Sequence, residues 1–139
     1  YKDYQTGINL MKKKYLIIIA NYYEDIAKGL LDSALRLIPK SNFIKIIKVP
    51  GVFEIPVTIS KNIKKYDAFL ALGCVIKGET PHFDFISQAS TNAIMDLSIR
   101  NQKPIGNGII TCLNMKQAKV RKKKGAEAAK AVISILSQK

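Results

Sequence analysis

The chain has no tryptophan, a single histidine and two cysteines, and only 3 of its 23 basic residues are arginine. Each scarcity excludes something. Two cysteines, Cys74 and Cys112, cannot form a disulfide framework, and with His82 alone they make no ligand-like spacing, so no metal site is expected. Both lie among apolar residues and read as buried, reduced thiols. Long hydrophobic runs are also missing. The longest, Leu16 to Ala20 behind Tyr15, falls far short of the ~20 residues that cross a bilayer. No charged start leads into an apolar stretch with a small-residue cleavage site, so the chain reads as soluble and cytoplasmic, with no membrane partner.

Acidic residues are few as well: 10 against 23 basic ones, a formal net charge of +13. Such a balance can mark a nucleic-acid partner. Nucleic-acid readers, however, rely on the bidentate guanidinium fork, and here the only arginines are Arg36, Arg100 and Arg121. The lysines are spread along the whole chain, with clusters only at Lys12–Lys14 and Lys122–Lys124. A lysine-rich background accounts for the charge at least as well as a nucleic-acid partner does, with an anionic small-molecule substrate as a modest contributor. At 139 residues, 47% hydrophobic and 24% charged, the composition is that of one globular domain and excludes disorder, collagen and coiled coil.

Residues 1–14 are polar and aperiodic and read as an N-terminal arm, with Met11 either a start preceded by extra residues or part of that arm; residues 15–139 read as a single domain. Tyr15–Ala20 is a strand buried on both faces. Glu24 and Asp25 open a helix at its positive end, with Ile26, Leu30, Ala34 and Leu37 on one face and Pro39 as its stop. Phe43–Val49 is a second strand, and Glu54 to about Lys65 a second helix. Asp67–Ile76 is the most apolar strand and is expected in the sheet's centre. A long helix follows from Pro81 to about Asn101 with a stripe of Ile86, Ala89, Ala93 and Leu97. Pro104–Thr111 is a fourth strand, in which Gly106 and Gly108 weaken pairing or admit a close neighbour. Asn114 caps a short helix reaching Arg121, and a last helix after Gly125 turns Ala126, Ala129, Ile133 and Leu136 inward. Four strands alternating with helices predict an α/β fold: a parallel sheet with helices on both faces, a three-layer sandwich.

Ligands of such sheets bind beyond the carboxyl ends of the strands. The segments there are Asn21–Tyr23, Pro50–Glu54, Lys77–His82 and Thr111–Asn114. His82 opens a helix behind a Gly-Glu-Thr-Pro turn; on its residues alone it fits a proton donor and acceptor or a capping histidine. Gly78-Glu79-Thr80 fits a phosphate cradle at a helix start or a plain turn. Glu54 fits favourable placement in a first helical turn or an acceptor for substrate hydroxyls. Tyr22 fits a stacking ring or a packed aromatic, Arg121 a phosphate ligand or a solvated helix face, and Lys122–Lys124 a solvated run.

Two of these segments carry a family signature. Val49-Pro50-Gly51-Val52-Phe53-Glu54-Ile55-Pro56 resembles the VPGAFEIP motif of the lumazine synthase family, and Gly73–Asp84 (GCVIKGETPHFD) resembles its G-x-V-I-R-G-E-T-x-H-[FY]-[DE] signature. Gln117-Ala118, Arg121 and Lys124–Ala129 (KGAEAA) are similar to its C-terminal pattern, so the resemblance covers about Tyr15 to Leu136. It implies a flavodoxin-like fold and a cofactor-free condensation of 5-amino-6-(ribitylamino)uracil with 3,4-dihydroxy-2-butanone 4-phosphate, with loss of phosphate and water. It implies a homo-oligomer, a pentamer that in some members assembles further into a sixty-subunit shell, with sites between subunits. By motif, His82 is the implied proton donor and acceptor and Tyr22 the ring that stacks on the pyrimidine. Val52, Phe53 and Glu54 are implied to hold the ribitylaminouracil, and Cys74, Val75 and Ile76 to line the same pocket. Glu79, Thr80 and Arg121 are the implied phosphate ligands, and Lys124 is matched to the family's lysine across a shortened stretch after Arg121. Lys77 replaces the usual arginine, and Asn107 stands where many members have phenylalanine, so a polar contact with the pyrimidine is expected there. Two readings compete: a basic α/β module binding RNA or an acidic partner, and the archaeal-type riboflavin synthases, which share the fold. His82 inside GETPHFD favours the lumazine synthases.

Overall fold

In a computed structural model describing residues 12–138, four parallel strands lie in the order β2-β1-β3-β4: β1 (Lys14–Ala20), β2 (Phe43–Val49), β3 (Ala68–Ile76) and β4 (Ile105–Cys112). The helices between and after them are α1 (Glu24–Leu35), α2 (Ile55–Asn62), α3 (His82–Asn101), α4 (Met115–Val120) and α5 (Lys124–Leu136). The expected three-layer sandwich is the one observed. Tyr15, Ile17 and Ile19 point from β1 into a core shared with α1, α4 and α5. Leu16, Ile18 and Ala20 point the other way, into a core shared with α2 and α3. All six are buried, which is why this strand is apolar without alternation. Full burial of each large side chain contributes roughly 1.5–3 kcal/mol. The N-terminal arm expected over 1–14 falls mostly outside the described residues; within them, β1 begins at Lys14, and the Lys13 amide donates to Asn42 Oδ1 at 2.9 Å.

Several boundaries differ from expectation. The first helix ends at Leu35 rather than running to Pro39, because the residue before a proline is disfavoured in the helical region. Its last turn tightens instead, with the Leu37 amide bonding Ala34 O at 3.1 Å. Glu54 lies in a single 3₁₀ turn, Val52–Glu54, and the α-helix starts one residue later. Along α3 the buried positions are Ser90 and Ile94; Ile86 and Leu97 are half-buried, but Ala89 is exposed. Phe85, Met95 and Ile99 point outward from the same helix. The observed inward face departs from the expected stripe because α3 carries apolar residues around its circumference.

The inward face of α5 is also rotated from expectation: Gly125, Ala128, Ala129 and Val132 are buried, while Ala126, Ile133 and Leu136 are only half-buried. Backbone proximity decides this. A Cβ on Gly125 would collide with the Leu30 carbonyl of α1, and one on Gly106 with the Ala128 carbonyl, so α5 lies almost against α1 and β4. The close neighbour admitted by Gly106 is therefore α5 itself. Ser33 Oγ stitches the contact, donating to Lys122 O at 2.9 Å and accepting from the Ala126 amide at 3.1 Å.

Candidate active site

Strand order reverses direction between β1 and β3, and the crevice at such a switch point opens at the strands' carboxyl ends. A cavity of about 420 Å³ occupies that place, lined by Tyr22, Tyr23, Gly51, Val52, Phe53, Glu54, Cys74, Val75, Ile76, His82 and Ile86. The structure thus brings together eight of the residues singled out in the sequence: Tyr22, Val52, Phe53, Glu54, Cys74, Val75, Ile76 and His82.

Each reaches the cavity for a local reason. Tyr22 and Tyr23 bridge the end of β1 and the start of α1, with their rings 4.9 Å apart and nearly perpendicular. Gly51 leaves β2 extended, and Glu54 folds back so that its Oε1 accepts the Gly51 amide at 3.0 Å. Val52 drops under this turn onto Gly73, where a Cβ would stand 2.9 Å from a Val52 methyl. A side chain at 73 would lift the cavity floor. His82 starts α3 at the rim; it is exposed, and its amide donates to Thr80 Oγ1 at 3.4 Å. Pro81 is the N-cap of this helix, and the Asp84 and Phe85 amides turn back to its carbonyl.

The thiols frame the inner wall. Cys74 lines the cavity while Cys112 is buried behind it. Strand register sets Cys74 opposite Ile110 and Cys112 opposite Ile76, so the two are diagonal neighbours rather than direct partners. Burial pushes the Cys74 thiol up to about 12, helped by Cys112, so it is a neutral wall rather than a thiolate nucleophile. Burial, followed by the nearness of Tyr22 and Cys74, likewise raises the Tyr23 hydroxyl above its ordinary value.

The remaining candidates lie elsewhere in the chain. Glu79 and Thr80 are exposed in the turn before His82 and do not line this cavity. Arg121 and Lys124 line a separate space of about 590 Å³ on the open side of β4, together with Thr111, Val120, Lys123 and Glu127. There the Arg121 guanidinium donates to Thr111 O at 3.1 Å, and Lys124 Nζ pairs with Glu127 Oε1 at 3.4 Å. Asn107 lies in a third hollow between α3 and α5, its Oδ1 accepting the Ile109 amide at 3.0 Å. No residue of the segment 111–114, expected at the same edge, lines this cavity; Cys112 stands behind Cys74, and its carbonyl accepts the Lys77 amide at 2.9 Å. β4 is the edge strand, with β3 between it and β1, so the chain beyond it lies beside rather than at the β1–β3 crevice.

Three lining residues were not among the candidates: Tyr23, Gly51 and Ile86. The sequence held a signal for each. Tyr23 and Gly51 belong to segments just beyond a strand, and Ile86 is one helical turn beyond His82. Among the described residues no group of three or more His, Cys, Asp or Glu side chains is placed to hold a metal, and no helix is long and apolar enough to cross a membrane.

Comparison with known proteins agrees with the motifs. The family model described as 6,7-dimethyl-8-ribityllumazine synthase matches residues 12–139. Proteins of that name from Agrobacterium fabrum and Bartonella bacilliformis are 40% identical over 143 residues and 43% identical over 133 residues. The first alignment covers 93% of this chain and 97% of the relative, the second 86% and 88%. A protein of the same name from Renibacterium salmoninarum is 41% identical over 113 residues, 80% of this chain and 71% of its own. A match of this extent, on a chain whose two motif segments meet at one cavity, identifies the lineage: the chain belongs to the 6,7-dimethyl-8-ribityllumazine synthase family.

Proposed function

We propose that this chain condenses 5-amino-6-(ribitylamino)uracil with 3,4-dihydroxy-2-butanone 4-phosphate, releasing the lumazine, phosphate and water, without a cofactor. The observation that carries the reading is the meeting of GVFE and the GCVIKGETPH segment at one cavity beside Tyr22 and Tyr23, in a chain of this family. An amine and a ketone react unaided, so orientation is the larger part of the protein's work and proton movement the smaller. Tyr22 stacks on the pyrimidine, Val52 and Phe53 flank it, and Glu54 accepts hydrogen bonds from ribityl hydroxyls. Cys74, Val75 and Ile76 form the wall. His82, at the rim and in water's reach, receives and returns the protons moved as the imine forms and phosphate leaves.

The phosphate ligands are drawn from two copies of the chain. Glu79 and Thr80 belong to the turn beside His82, whereas Arg121, with Lys124 and Asn107, lies on the β4 side and reaches a neighbour's cavity. Exposed Phe53 and Val57 line one apolar hollow with Pro56, Ala89 and Ala93, a contiguous patch that supports such packing. The assembly is a homopentamer, in the cytoplasm. The test is an absorbance assay of lumazine formation from the two substrates. A rate well above the protein-free background is expected; a rate equal to background from folded, assembled protein overturns the reading.

A further inference from the structure

Tyr22 is 75% exposed, yet its ring has a fixed neighbour: the Tyr23 ring, at 4.9 Å between centroids and 87° between planes. The two tyrosines are anchored very differently. Tyr23 packs against the core shared by α1 and α5, and its carbonyl accepts the Ala27 amide at 2.9 Å, tying its backbone into the first turn of α1. It reaches the same cavity as Tyr22. An exposed tyrosine on a strand-to-helix link otherwise populates several rotamers, and immobilising it when a ligand arrives weakens binding. A perpendicular aromatic contact favours one of those rotamers in advance.

We propose that Tyr23 is a positioning residue that, held in the core, keeps the Tyr22 ring presented at the cavity mouth in the orientation a planar heterocycle stacks on. The inference rests on the reading in which Tyr22 stacks on the uracil. It goes beyond that reading in assigning to Tyr23, itself part of the cavity wall, a role exercised through Tyr22. Loss of the brace weakens binding of the stacking substrate and leaves the proton transfers and the phosphate ester untouched.

The experiment compares Tyr23→Leu and Tyr23→Phe by steady-state kinetics and by calorimetric binding of 5-amino-6-(ribitylamino)uracil. The Leu variant is expected to raise KM and Kd for the uracil about 2- to 10-fold, the range of one aromatic edge-to-face contact, with kcat and the KM for the phosphate ester unchanged. The Phe variant keeps the ring and should match the unsubstituted protein. Introduced into Tyr22→Leu, Tyr23→Leu should add nothing, because the ring it braces is gone. Tyr23→Met fills the same core space without an aromatic edge and replaces the Leu variant if that folds poorly. An equal loss in Tyr23→Phe would assign the effect to the hydroxyl, and a full loss on the Tyr22→Leu background would assign it to core packing; either overturns the inference. Uracil binding that ignores Tyr23 overturns it alone, whereas no uracil binding by the unsubstituted protein overturns the reading of the site as well.

Discussion

Glu54 accepts a hydrogen bond from the Gly51 amide, Oε1 to N at 3.0 Å, across the turn that joins β2 to α2. The bond holds the carboxylate in place before any ligand binds, with the Glu54 backbone already committed through its carbonyl to Thr58 Oγ1 at 2.8 Å. One side chain thus closes the turn and presents an acceptor to the cavity it lines. Glu54→Ala removes both, and is expected to raise the KM for the ribitylaminouracil by about 10-fold or more, as for loss of a charge-assisted hydrogen bond. Glu54→Gln retains an oxygen for Gly51 and should cost less. Equal KM values for the two variants would show that the charge, not the turn, matters.

His82 and Arg121 line different spaces within one chain. If each site takes one from each of two neighbouring copies, His82→Ala and Arg121→Ala chains complement when co-assembled. Alone, His82→Ala should lower kcat by about 10²-fold or less, and Arg121→Ala should raise the KM for the phosphate substrate. An equal mixture unfolded and refolded together should regain about a quarter of the sites under random assembly. No recovery, from assemblies shown to be mixed, would mean that both residues serve a site within one copy.

The Cys74 thiol is pushed up to about 12 from an ordinary 9.0, chiefly through burial. The folded chain therefore keeps a proton that the unfolded chain releases. Stability from this group is complete below about pH 9 and is lost as pH rises toward the folded value. In urea titrations the difference in stability between the unsubstituted protein and Cys74→Ala should shrink between about pH 8.5 and pH 11. Tyr15, also pushed up to about 12 by burial, contributes equally to both variants and cancels in that difference. A difference that stays flat over this range would contradict the burial of Cys74.

Gly125 and Gly78 make a paired test of packing. A Cβ at 125 meets the Leu30 carbonyl and Ser33 Oγ, whereas a Cβ at 78 meets nothing within 4 Å. Gly125→Ala should lower stability by about 1–3 kcal/mol or more, and Gly78→Ala should leave it within about 0.5 kcal/mol. Thermal unfolding reads both. Similar melting temperatures for the two variants would place α5 farther from α1 than described.

Local features were legible from the residues alone. β1 and β3 are legible because strands buried on both faces must be apolar throughout, and the Asn114 cap because its side chain bonds the Gln117 amide three residues on, at 2.9 Å. Motif residues just beyond β1, β2 and β3 could be assigned to one cavity because parallel strands share a direction. The inward faces of α3 and α5 were legible only in part: Ile86, Leu97, Ala129 and Leu136 face the cores as expected, whereas Ala89 does not and Ile94, Ala128 and Val132 were missed. Apolar residues surround α3, and the rotation of α5 is decided by how near its backbone comes to Leu30 and to Gly106, distances absent from any periodicity. Beyond the central place of β3, strand order was hidden as well: β4 lies outside β3, so Arg121 and Lys124, which follow it, line a space apart from His82, while Asn107 sits within β4, toward its amino end and away from the strands' carboxyl ends. The perpendicular pairing of Tyr22 with Tyr23 belongs to the same class, since a half-buried ring beside an exposed one is decided by the core that α1 and α5 build around it.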